Sequence, residues 1–102
     1  MRLAVEDLGY AMEPQFQVVT EDGRVIATVD GRIIGTRGLL EFDGLTKYAG
    51  ADGKRELIAE KRREEDIRRA GWLLDRFVWH ELDDPAGLAR RLRDLLGGNR
   101  AR

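Results

Sequence analysis

From Arg24 to Asp30 the chain alternates, with Val25, Ala27 and Val29 on one side and Ile26 and Thr28 on the other. That two-residue period is the mark of a strand with unlike faces. Phe16–Thr20 (FQVVT) is a second strand-like run. The intervening Glu-Asp-Gly, residues 21–23, suits a tight hairpin because glycine accepts positive φ. A second turn at Gly35–Gly38 leads into a third strand, Leu39–Asp43, which makes three antiparallel strands in succession.

Around this meander the period changes. Arg2–Gly9 offers Leu3, Val5 and Leu8 to a short helix, which ends before Pro14 because proline pushes Glu13 toward extended backbone. After a small-residue loop at Tyr48–Gly53, Lys54–Ala70 carries no helix breaker and is capped by Gly71. Trp72–Trp79 reads as a short buried strand. Asp75 puts a charge in that apolar run, which is tolerable only if it is paired or at an edge. Asp84 and Pro85 then open a last helix whose stripe is Leu88, Leu92, Leu95 and Leu96, stopped by Gly97-Gly98. The predicted order is α-β-β-β-α-β-α, an α+β mixed sheet flanked by helices within the broad α/β class. It forms a single domain over residues 1–97, with 98–102 a frayed tail.

Composition narrows the setting. At 102 residues the chain has room for one modest core, and 42% hydrophobic with 36% charged residues describes a soluble, highly charged protein. No apolar run approaches the ~20 residues of a membrane helix. The N-terminus bears acids where an export signal needs an apolar stretch, which points to the cytoplasm. There is no cysteine and only one histidine, His80, so thiolate and His-rich metal sites are excluded. His80 and Trp79 read as residues at the edge of the core.

The net charge is −1, yet the basic residues gather late, from Lys54 to Arg69 and from Arg90 to Arg102, while acids dominate the first fifty positions. Such asymmetry suits either a polyanion partner or helix faces laced with opposite charges.

Glu41 and Asp43 stand two apart, so they share one strand face with Leu39 while Leu40 and Phe42 face the other way. Their Cα atoms would lie roughly 6.6 Å apart. Asp30, before the turn, falls near Glu41. Three carboxylates there would repel one another unless a cation or a basic partner compensates them. A hard cation such as Mg²⁺ would do so. Spacing alone leaves two readings open: a metal site, or a solvated strand face with Asp30 serving a turn.

The motifs also occur in a recognisable order: Val29-Asp30, Glu41-Phe42-Asp43-Gly44, Lys47-Tyr48, Glu60-Lys61-Arg62-Arg63-Glu64, Gly71-Trp72 and Arg76-Phe77. From about Pro14 to about Leu96 the chain resembles the small domains related to the very-short-patch-repair endonuclease, of the actinobacterial type, within the PD-(D/E)XK nuclease superfamily. The resemblance implies a restriction-endonuclease-like fold and a metal-dependent DNA endonuclease using Mg²⁺ or Mn²⁺. It implies Asp30 and Glu41 as metal-binding catalytic acids. Asp43 joins them, standing where many relatives have the catalytic lysine, and Lys47 stands where other branches have a histidine. Lys47 or Lys61 would then steady the charge of the pentavalent state. Glu60 is implied as a supporting acid, and Lys61, Arg62, Arg63 and Arg76 as contacts to DNA.

Each residue has a plainer role beside this one. Lys47 would be an exposed loop lysine, Glu60 and Arg63 an intrahelical pair, and Arg76 a partner of Asp75. A second function class follows: a catalytically weak nucleic-acid-binding or protein-interaction module that keeps the fold. A homodimer through Leu88, Leu92 and Leu95 is a third, against which those leucines read as ordinary core.

Overall fold

The computed structural model describes residues 2–42 and 53–97. The chain runs α1 (Arg2–Asp7), β1 (Met12–Val19), β2 (Val25–Ile33), β3 (Gly38–Phe42), α2 (Gly53–Arg69), β4 (Leu73–Phe77), a 3₁₀ turn (Trp79–Asp83) and α3 (Pro85–Leu96). The four strands form one sheet in the order β1-β2-β3-β4. The first three pair antiparallel and β4 lies parallel to β3, so the expected mixed sheet is present. Among the described residues no helix is long and apolar enough to cross a membrane.

The alternation of β3 divides the core. Leu40 faces Val5 of α1, Met12, Ile33, Phe77, and Leu88 and Leu92 of α3. Leu39 faces the other way, toward Val18, Ala27, Val29, Leu74 and Ile67 of α2. The sheet is thus covered by α1 and α3 on one side and by α2 on the other. Leu88 and Leu92 are spent within the chain, as a core reading of the α3 stripe requires.

Several boundaries differ from the sequence expectation. β1 begins at Met12, ahead of Phe16, and includes Pro14, which an edge strand tolerates because its outward N–H needs no partner. β2 continues three residues past Asp30. Gly31 pairs with both Pro14 and Leu40, and Arg32 with both Glu13 and Leu39. Asp30 therefore lies within a strand rather than ending one. Gln15, opposite this point, has φ 53, and Met12 packs in the α1/α3 layer while Phe16 and Val18 pack in the α2 layer. A residue in the left-handed region interrupts the pleat, so one strand serves both layers. β4 is shorter than expected because Trp72 lies in the turn that follows α2 and Val78 precedes the unforeseen 3₁₀ turn.

Polar contacts close the corners. Gly71, at φ 97, ends α2 as expected. Arg37 from the β2–β3 connection donates to the Gly71 and Ala70 carbonyls at 2.9 and 3.1 Å and lies over the Trp72 ring at 4.2 Å. At the other end Asp84 accepts from the Gly87 N–H at 3.1 Å, the predicted N-cap of α3. Asp75 lies on the sheet edge and is paired, but with Arg91 of α3 at 2.8 Å. Arg91 also bonds Glu81 and the Arg76 carbonyl, and it covers the Phe77 ring.

Phe77 is 1% exposed and Leu3 is 75% exposed. Phe77→Ala is expected to cost about 3–5 kcal/mol and Leu3→Ala under about 0.5 kcal/mol in urea unfolding. The Glu81 carboxyl is held below its ordinary value of 4.5, chiefly by the Val78 N–H and then by Arg91. Its contribution to stability is whole above that value and is lost as pH falls through the depressed folded value. Glu81→Gln should therefore flatten the acid limb of a Tm-against-pH profile.

Candidate functional site

β3 carries Glu41 onto the α2 side of the sheet, where the middle of α2 crosses β3 and β4. Arg63 of α2 forks onto it, with Nη1 3.0 Å from Oε1 and Nη2 2.6 Å from Oε2. The same guanidinium donates to the Thr28 carbonyl of β2 at 3.0 Å and to Glu60 at 3.1 Å. Arg76 enters from β4, where it sits opposite Glu41 in the parallel ladder. It reaches Glu41 at 3.3 Å, Glu60 at 2.6 Å and Glu64 at 3.2 Å. Arg68 closes the far end, binding Glu64 at 3.1 Å and the Leu74 carbonyl at 3.0 Å.

The three acids Glu41, Glu60 and Glu64 are thus matched by Arg63, Arg68 and Arg76. Glu41 is the most enclosed, its side chain 16% exposed against 27% for Arg63. The Glu41 hydrogen bonds raise the Arg63 pKa above its ordinary value, in spite of burial. Repulsion among clustered carboxylates is answered here by guanidinium groups, the basic-partner solution rather than the cation solution.

Asp30 lies next door. Its Oδ2 accepts the Phe42 N–H at 2.6 Å. The regular β2–β3 pairing covers Gly31↔Leu40 and Arg32↔Leu39. Beyond it, the Asp30 side chain takes the place of a backbone carbonyl. One further step of that register sets Asp30 against Glu41. Asp30 is held by the Phe42 backbone and Glu41 by arginine.

The other expected positions separate into groups. Glu60, Arg63 and Arg76 join Glu41. Arg76 does not pair with Asp75 through its guanidinium, because Arg91 holds that carboxylate. Lys61 and Arg62 lie exposed on α2 and make no ion pair among the described residues. Asp43 and Lys47 lie outside the described residues, as do most of the Tyr48–Gly53 loop and the tail at 98–102. Trp79, expected at the core edge, is 65% exposed and stands edge-on to Phe42. Glu64 and Arg68 were not singled out from sequence, although their spacing of four on a helix was a signal for the pair.

Among the described residues no group of three or more His, Cys, Asp or Glu side chains could hold a metal ion. Mg²⁺ takes only one or two carboxylates and keeps several waters. Asp30 and Glu41 offer carboxylate oxygens, the donor type Mg²⁺ prefers, while both Glu41 oxygens already accept from Arg63 and Oε1 also from Arg76. Asp30 Oδ1 has no donor and Glu41 Oε2 has one among the described residues, so each retains acceptor capacity. Comparison with protein-family models, with curated proteins and with solved structures returns no match to this chain.

Removing Arg63 leaves Glu41 with Arg76 alone among the described residues, at 3.3 Å, and Arg76 is shared with Glu60 and Glu64. Arg63→Ala is expected to lower unfolding free energy by about 1–3 kcal/mol, and Arg63→Lys to restore little, since one ammonium cannot fork onto a carboxylate. Arg69→Ala, breaking an exposed pair with Asp66, should cost under about 0.5 kcal/mol in the same urea titration.

Proposed function

We propose that this domain is a metal-dependent DNA endonuclease of restriction-endonuclease-like fold, with Asp30 and Glu41 as its central acids. The observation that carries this reading is the placement of two carboxylates from adjacent strands at one end of the β2–β3 ladder, with Asp43 next in sequence after Phe42. The antiparallel meander followed by a helix and a parallel strand supports the fold assignment.

In this reading Asp30, Glu41 and Asp43 hold Mg²⁺ or Mn²⁺, which when bound activates water and neutralises charge on a phosphodiester. Asp30 is oriented by the Phe42 N–H, and Glu41 is fixed in direction by Arg63 and Arg76. Glu60 supports both arginines and balances their charge. Lys61 and Arg62, exposed on the same helix, are placed to attract DNA phosphates, with Lys47 as a further cation.

A second reading rests on the closure of Glu41. Both of its oxygens are bonded to Arg63, and such a carboxylate is competent as a structural anchor. The domain would then be a nucleic-acid-binding or interaction module without catalysis.

The two separate in a nicking assay on supercoiled, linear and single-stranded DNA with Mg²⁺ or Mn²⁺. Asp30→Asn keeps an oxygen acceptor for the Phe42 N–H while removing the charge, and Glu41→Gln does the same at the second acid. Both variants are expected to cut at least ~100-fold more slowly than the native chain. Undiminished cutting in both would place the chemistry elsewhere. Binding of DNA without any cutting by the native chain would establish the second reading.

A further inference from the structure

Beside the acid cluster, α2 and β2 leave an open groove of about 510 Å³. Its floor and walls include Ile26, Ile58, Ala59, Arg55, Arg62 and Arg63. Arg63 belongs to both places, for the guanidinium that lines the groove is the one forked onto Glu41. Arg55 and Arg62 are seven residues apart on α2, two turns on one face, or roughly 10.5 Å along the axis at ~1.5 Å per residue. Both are exposed, and neither has an ion-pair partner among the described residues. Among the described residues the groove's one carboxylate, Asp66, is paired with Arg69 at 3.2 Å.

We infer that this groove carries the phosphodiester backbone of a single nucleic-acid strand toward Asp30 and Glu41, with Arg55 and Arg62 on its phosphates. These two cations, without ion-pair partners among the described residues, are aligned along α2, as a polyanion requires. Ile26 and Ile58, the latter 50% exposed, give the sugar and base edges an apolar surface. The groove is open to solvent, as a bound strand requires. Toward the β1–β2 turn the adjoining cavity carries Glu21, Asp22 and Asp66 beside Arg24 and Arg69, so the excess of positive charge does not continue there. This inference rests on the nuclease reading for its choice of nucleic acid over an acidic peptide.

The test is a fluorescence-anisotropy titration of a labelled single-stranded oligonucleotide in EDTA over a series of salt concentrations. Cleavage plays no part in it. Arg55→Ala and Arg62→Ala replace exposed side chains with the best helix former, so the fold is preserved. Each lost single-strand phosphate contact should reduce the salt slope by about 0.7, so the double variant should flatten it by about 1.4 and bind more weakly whatever the base sequence. Arg90→Ala/Arg93→Ala, which removes two exposed arginines of α3, should match the native chain.

An unchanged slope in the Arg55/Arg62 double variant overturns the inference. So does an equal loss in the α3 control, tighter binding of a duplex of the same length, or displacement of the strand by polyglutamate at comparable charge. Loss of groove binding with cutting intact would leave the nuclease reading standing. Groove binding by a chain that never cuts would sink the nuclease and keep the strand track.

Discussion

The fork between Arg63 and Glu41 is the interaction on which the arrangement of this domain depends. α2 is seventeen residues long, yet its only large side chain buried against the sheet is Ile67, near its C-terminal end. A helix with so narrow an apolar footing cannot be oriented by burial alone. Its middle is oriented by charge instead. Arg63 reaches β3 and β2, Arg76 reaches back from β4 to Glu60 and Glu64, and Arg68 takes a β4 carbonyl. Three strands and one helix are thereby tied through a few half-buried groups.

Anchorage by ion pairs has a cost that apolar anchorage lacks. Each charge drawn from water must find partners, so the members hold one another in place and cannot be lost singly. The same requirement fixes the direction of the Glu41 carboxylate, whose two oxygens both accept from Arg63. Asp30 shows a parallel economy: its carboxylate extends the β2–β3 ladder by one bond.

The opposite face of the sheet follows a different rule. There α1 and α3 contribute Val5, Leu88 and Leu92 to an apolar layer, and a polar clamp is added only at the edge. Arg91 draws Asp75, Glu81 and the Arg76 carbonyl together over the Phe77 ring. With 36% of its residues charged, the chain economises on core and uses arginine at both margins of the sheet to join what the apolar layers leave open.

Local chemistry was enough to predict the seven main elements and their order. The alternation of Arg24–Asp30, the glycines at 23 and 71, and the Asp84-Pro85 start of α3 act within a few residues of themselves, so the sequence displays them directly. The resemblance in motif order implied Glu60 as a supporting acid and Arg63 and Arg76 as contacts to DNA; the structure joins these three to Glu41 in one ion-pair network. The partners could not be read from the sequence. That Arg76 would pass over adjacent Asp75 for Glu60, sixteen residues back, depends on the parallel register of β4 against β3 and on the crossing of α2. The continuation of β2 through Gly31–Ile33 depends likewise on having strands on both sides. Composition and periodicity record what a residue prefers next to its chain neighbours. Which guanidinium closes on which carboxylate is settled only when the sheet brings distant strands within about 3 Å of contact, where charge-assisted hydrogen bonds outweigh local pairing.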